Sequence, residues 1–270
     1  MDMVDGLDGL DEDTHARGKP LYIASHHTMA DQTATDRPVL YAYFRSSCSW
    51  RVRAALNWKN IDYQYKAVDL VKGEQKSVEY EQLNPQKQVP TLIIDGHVLT
   101  QSTSILEYLE ETRPERPLLP KDPFKRSQVQ HFIPISGTRK SPNAYSLTAS
   151  CPGPHDCGGD QRRHISASES RRSDQDRGVG HGQAERMGEL LDHKGSLLEK
   201  TAGTYSVGDE ITMADCLLIP MVYNAIRYGV DMTRFPNISR INSAVSELES
   251  FRRAHAHMQE DCLPELAGKL

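Results

Sequence analysis

The strand-to-helix junction over residues 45–51 constrains this chain more than any other stretch. The apolar and aromatic run Val39-Leu40-Tyr41-Ala42-Tyr43-Phe44 leads into Arg45-Ser46-Ser47-Cys48-Ser49-Trp50-Arg51. Beyond it Val52, Ala55 and Leu56 recur on one side of a helical pattern, with Arg51, Arg53 and Lys59 on another. Small polar residues therefore sit where a helix begins. The first N–H groups of a helix lack internal partners, and the macrodipole adds partial positive charge there. Hydroxyls and N–H groups so placed can hold an anion. A thiolate held this way has a lowered pKa, because the charged form is favoured. The same serines would also serve as a plain helix cap.

Size leaves room for one large domain or two small ones, at 270 residues. A mean hydropathy of -0.60 is polar for a packed protein, so part of the chain is expected to stay unpacked. The net charge of -5 gives no reason to expect a nucleic-acid partner. No apolar run approaches the ~18 residues of a membrane span. The start, Met1-Asp2-Met3-Val4-Asp5, lacks the apolar core of a secretory signal. Five cysteines, odd in number and widely spaced, fit free thiols in a reducing compartment, so a cytoplasmic location is expected.

Residues 1–37 are acidic, then polar, and are expected to form a disordered extension. Residues 38–112 read as strand, helix, strand, helix, strand, strand, helix. The second strand is read over Asp62 to Val68, the second helix over Glu74 to Leu83, and Asp95-Gly96 is a two-residue hairpin turn. This βαβ-then-ββα order predicts an α/β, thioredoxin-like domain over residues 38–117. The proline-rich stretch Thr112-Arg113-Pro114-Glu115-Arg116-Pro117 is a linker, and Asp122-Pro123 opens a helix. An all-α domain is expected over residues 118–270. Its residues 131–195 are atypical: from His131 to about Arg186 Ser-Pro, Pro-Gly-Pro and Gly-Gly steps replace any helical period, which predicts disorder. Thr212-Met213-Ala214-Asp215 is a capping box opening a buried helix to about Tyr228, with Pro220 as a kink point. That position makes Asp215 a cap rather than a catalytic acid. A last helix is read from Ser239 to Phe251, and the tail after Ala254 as loose.

Three patterns, S-S-C-S-W-R-V-R, then N-P-x-K-Q-V-P-T-L, then Q-S-x-x-I-x-E-Y-L-E-E-T-R-P, closely resemble the zeta-class glutathione transferases, the maleylacetoacetate isomerase family. The resemblance runs from about Pro38 to Gln130 and again from about Thr201 to Phe251. It implies a thioredoxin-like domain with a cis proline at Pro90, a helical domain, and a homodimer. In the family the region matching residues 131–195 is two long helices, which the sequence here does not show. Residues Arg186 to Gly195, back-translated with one permitted choice of codons and read one base later, give a peptide similar to that family's helix W-A-x-x-W-I-x-K-G. A shifted reading frame, or an intron or splice error, is therefore expected over residues 131–195.

The activity implied is glutathione-dependent conversion of maleylacetoacetate to fumarylacetoacetate in phenylalanine and tyrosine breakdown. A thiolate suits such cis–trans isomerisation, being a strong nucleophile and a fair leaving group. By resemblance Ser46, Ser47 and Cys48 are the catalytic group, and Ser49, Trp50 and Arg51 complete the glutathione-binding helix start. Gln101 and Ser102 would take the γ-glutamyl carboxylate at a second helix start, Ser102 also being a simple cap. Val89 would pair its backbone with the cysteinyl part, and Gln75 would meet the glycyl end. Arg45, Arg51 and Arg227 are candidates for the substrate carboxylates, which suit arginine forks. Arg51 in place of a second cysteine argues against thioredoxin-type disulfide exchange. Two alternatives stay open: a general zeta-class transferase acting on α-haloacids, and a glutathione-binding remnant without catalysis. Cys151, His155, Cys157 and His164 match no standard metal spacing, so no metal is expected.

Overall fold

The structure is a computed structural model. It describes residues 37–133 and 168–269, with side chains in the second run from residue 182 onward. The expected extension, all but Arg37, lies outside the described residues. So do residues 134–167 and the four cysteine and histidine residues weighed above as metal ligands.

Four short strands form one sheet: β1 (Val39–Ala42), β2 (Gln64–Ala67), β3 (Thr91–Ile94) and β4 (His97–Thr100), in the order β2-β1-β3-β4. β1 runs parallel to β2 and antiparallel to β3, and β3 is antiparallel to β4. In β1 and β3, Leu40, Ala42, Leu92 and Ile94 lie on one face and are 0–3% exposed. Helices α1 (Ser47–Trp58) and α3 (Ser102–Thr112) pack together on that side. The short α2 (Val78–Leu83), preceded by a 3-10 turn at Glu74–Lys76, lies on the opposite side beside Tyr41 and Ile93. β2 is shorter than its sequence suggested. It is an edge strand; Tyr65 is half-buried and its other three residues are exposed. Asp95 and Gly96 have φ of 54° and 74°, the left-handed pair that a two-residue hairpin requires.

The linker is held tightly. Lys59 Nζ meets Glu110 at 2.8 Å and the Arg113 carbonyl at 2.7 Å. Glu110 accepts from the N–H groups of Leu118 and Leu119 at 2.9 and 3.0 Å. Removing one partner of such a buried pair would leave the other charge unpaired.

The helical part contains α4 (Pro123–Phe132), α5 (Ser168–Thr201), α6 (Met213–Arg227), α7 (Pro236–Ser246) and α8 (Glu249–Ala254). Asp122 caps α4, accepting from Lys125 N–H at 2.8 Å. The capping box of α6 forms as read: Asp215 accepts from Thr212 N–H at 2.8 Å and also from Ser206 N–H at 2.9 Å. Nearly every residue of α6 is buried, Pro220 included, so it is the centre of this part.

Three expectations are corrected. The disordered or helix-free reading fails from residue 182 to residue 195, where α5 packs side chains into the core. Its Met187, Leu191, Lys194 and Leu198 recur every three or four residues and are at most 2% exposed. A lysine in that stripe, with glycines at 188 and 195 beside it, broke the apolar period in the sequence. The single last helix is two, α7 and α8, separated at Glu247 and Leu248. The tail after Ala254 is not loose. His255 packs its ring 4.8 Å from Trp50, and Asp261 reaches back to the sheet.

Candidate active site

The register places the candidate residues at one end of the sheet. Tyr41, Thr91 and Thr100 are lateral neighbours, and Ala42 is paired with Ala67. The chain leaves β1 towards Ser46, β2 towards Gln75 and β4 towards Gln101, and it enters β3 from Val89, all at this end.

Ser46 is the N-cap of α1, with extended φ and ψ of -67° and 115°. Its Oγ accepts from Ser49 N–H at 3.2 Å, and its carbonyl accepts the first helical bond, from Trp50 N–H at 2.9 Å. Because Ser46 is fully buried and engaged as a cap, the free end of the helix belongs to Ser47 and Cys48. Ser47 is 9% exposed and Cys48 partly exposed. No acidic residue occupies the first turn to offset the dipole.

Ser49, Trp50 and Arg51 point inward. Ser49 is fully buried and Trp50 is 1% exposed, its ring 5.2 Å from that of Tyr223 on α6. The Trp50 ring fastens α1 to the helical part, while Ser49 Oγ and Trp50 Nε1 are buried without a partner among the described residues. Arg51, 2% exposed, donates from Nη1 to Ser102 Oγ at 3.3 Å. It serves the site through Ser102 rather than by flanking the helix start as an open fork.

Val89 and Pro90 are joined by a cis peptide, as expected. The preceding carbonyl, of Gln88, accepts from Tyr80 OH at 2.7 Å and from Asn84 Nδ2 at 2.8 Å, so α2 fixes this turn. Among the described residues neither the N–H nor the carbonyl of Val89 has a hydrogen-bond partner. Gln75 is 9% exposed, and its buried Oε1 likewise lacks a partner among the described residues. A buried polar atom left unpaired costs on the order of 1–3 kcal/mol, so both positions are suited to a ligand that completes them.

Gln101, not Ser102, is the N-cap of α3, and it makes no side-chain cap bond. Its φ of 68° is a strained value for a residue with a side chain. Its side chain donates to Gln86 Oε1. Ser102 is 3% exposed at the first helical position.

The charges of Arg45 and Arg227 both act on Tyr223. Burial raises the Tyr223 phenol above its ordinary pKa, while the positive charges of Arg227 and Arg45 oppose that shift. Arg227, exposed at the end of α6, donates from Nη2 to Tyr228 OH at 2.6 Å. Arg45 lies 5.1 Å from the Phe44 ring. The Tyr223 hydroxyl meets His257 Nε2 at 3.0 Å. His255 beside it is lowered to about 4, first by burial and then by the charges of His257 and Arg53. Tyr223, His255, His257 and Asp261 escaped the sequence reading. Only the second His of His255-Ala256-His257 and the isolated Asp261 could have signalled them, and neither lies in a periodic pattern.

The comparisons with known proteins agree with this geometry. Residues 45–112 match the family model for the glutathione S-transferase N-terminal domain. A probable maleylacetoacetate isomerase 2 of Drosophila melanogaster is 42% identical over 86% of this chain and 94% of its own length. A bacterial maleyl pyruvate isomerase, described as a zeta-class glutathione S-transferase, superposes with a TM-score of 0.69 at 33% identity, covering 83% of this chain and all of its own. A maleylacetoacetate isomerase of Anaeromyxobacter dehalogenans with glutathione in its active site superposes at 0.66 with 34% identity, covering 84% and 98%. A thioredoxin-like sheet with a helix-start serine pair, a cis proline before β3 and likeness along most of the chain thus identify it as a member of the maleylacetoacetate isomerase family of zeta-class glutathione transferases.

Proposed function

We propose that this chain is a glutathione-dependent isomerase that converts maleylacetoacetate to fumarylacetoacetate in phenylalanine and tyrosine breakdown. One observation carries the reading: the polar groups at the sheet end that are left incomplete, Val89's backbone and Gln75 Oε1, flank the open N-terminus of α1. Val89's backbone matches a ligand that is a peptide in its middle, Gln75 Oε1 can accept from a ligand N–H such as that of a terminal residue, and the α1 start suits a thiol to be ionised.

The residues fit glutathione. Ser47 and Cys48, with the first N–H groups of α1, would hold its sulfur; Val89 would pair with its cysteinyl backbone; Gln75 would meet its glycyl end. Gln101 and Ser102 would take its γ-glutamyl carboxylate at the start of α3. When bound, glutathione supplies a thiolate that adds reversibly to the cis double bond, which turns as a single bond before the sulfur leaves. Ser47 Oγ and the α1 N–H groups favour the ionised sulfur by donating to it. Arg45 and Arg227 draw the substrate carboxylates towards Tyr223 and orient the alkene over the helix start. Their charges also favour negative charge developing on a substrate oxygen.

Turnover of maleylacetone tests the reading. Isomerisation that needs glutathione and exceeds the rate with an α-haloacid is expected. Faster haloacid turnover would favour the general transferase, and retention on glutathione resin without either reaction would favour a non-catalytic binder. We further propose a cytoplasmic homodimer. Free thiols at Cys48, Cys216 and Cys262 support the compartment. Phe124 on α4 and Val98 on β4, 69% and 41% exposed, are apolar surface that self-association would cover. Light scattering at the mass of one chain would oppose the dimer.

A further inference from the structure

Phe44, two residues before the α1 cap, is gripped through its own backbone from both sides. Its N–H donates to Asp261 Oδ2 at 2.9 Å, across 217 residues of sequence. Its carbonyl accepts from Arg53 Nη2 at 2.9 Å. Arg53 is fully buried and has two further carbonyl partners, Ala254 at 3.0 Å through Nε and Tyr43 at 3.4 Å through Nη1. Tyr43's carbonyl also accepts from Ser46 N–H at 3.0 Å, so the turn that delivers Ser46 is closed on an atom that Arg53 holds. Asp261's other oxygen accepts from Tyr65 OH on β2 at 2.8 Å. A carboxylate fixed at both oxygens has little freedom to swing, and a buried guanidinium with three carbonyls has none.

The carboxylate comes from the segment after α8, outside every helix of the helical part. His255 packs on Trp50 and Tyr223 and starts a tight turn over Ala256–Met258, which aims Asp261 at the sheet. The segment thus contacts the β1–α1 turn at its root. It lies beyond Phe251, where the motif resemblance ends.

We propose that Asp261 is a positioning residue for the sulfur-holding turn: with Arg53 it clamps Phe44 and so sets where Ser47 and Cys48 stand. Asp261 touches neither glutathione nor substrate in this role. It acts by fixing the backbone from which the α1 N-terminus springs, and displacements of an ångström at a reacting centre are enough to cost large factors in rate. The proposal rests on glutathione binding at that helix start.

The test uses the full chain, with glutathione as the probe. Asp261→Asn keeps the shape of the side chain but can accept at only one oxygen. It is expected to lower kcat for maleylacetone about tenfold, to raise the midpoint of the bound-thiolate ultraviolet titration by about half a unit or more, and to leave KM for glutathione within about twofold. A purely structural role for Asp261 would lower the melting temperature and leave the midpoint and kcat of folded protein unchanged, which overturns the proposal. Should Asp261→Asn fail to fold, Tyr65→Phe removes only the bond that steadies the carboxylate. A smaller shift of midpoint in the same direction supports the clamp, and no shift overturns it. The parent's own midpoint judges the glutathione reading separately, since only the difference between parent and variant bears on Asp261.

Discussion

At the scale of single residues, the unpaired groups are the most informative. Gln75 Oε1 is buried without a partner among the described residues, so its amide is held ready at the fold's expense. Gln75→Ala is expected to raise KM for glutathione about fivefold, about 1 kcal/mol, with kcat nearly unchanged, because the glycyl end is bound equally before and during reaction. Steady-state kinetics at varied glutathione checks this. Lys194 offers the opposite case, a charge with no exposed surface. Its Nζ donates to the Phe132 carbonyl at 2.6 Å, and burial, reinforced by the charge of Arg51, holds its pKa well below the usual lysine range. The unfolded chain therefore binds a proton that the folded chain lacks, from the lowered folded pKa up to about 10.5, and stability rises with pH across that window. Lys194→Met should flatten this rise in denaturant midpoints measured at several pH values. A parallel curve for the variant would contradict it.

At the scale of elements, what the sequence announced was whatever depends on neighbours in the chain. The junction into α1, the Asp95-Gly96 turn, Asp122-Pro123 at α4 and the Thr212–Asp215 box all formed, since each is decided within a few residues. The Thr212 hydroxyl and the Asp215 carboxylate are wholly enclosed, with Ser206 N–H as a third member. Thr212→Ala should therefore destabilise the chain by about 1–2 kcal/mol in chemical denaturation, without changing KM. What stayed hidden needed partners far away. α5 was unreadable because Lys194 takes an apolar position that the carbonyl and ring of Phe132 make tolerable. Trp50 and Arg51 sit within the site motif yet turn inward, because α6 and the start of α3 supply their partners. The break between α7 and α8 and the folded tail follow from contacts with α1, such as Asn57 Nδ2 to the Ser250 carbonyl at 3.1 Å.

At the scale of the whole molecule, α1 is the common element. Its N-terminus faces the candidate site, its middle is gripped by α6 and α8, and its end anchors the linker through Lys59. The sheet brings four loops to that end, and the helical part packs Tyr223 on Trp50 in the first turn of α1. Chemistry and architecture meet in the claim that this helix start keeps a borrowed sulfur ionised. The most direct measurement is an ultraviolet titration of thiolate in the complex of the full chain with glutathione. A midpoint about one unit or more below that of free glutathione in the same buffer is expected, from the helix dipole together with the Ser47 hydroxyl. A midpoint equal to that of free glutathione would contradict it.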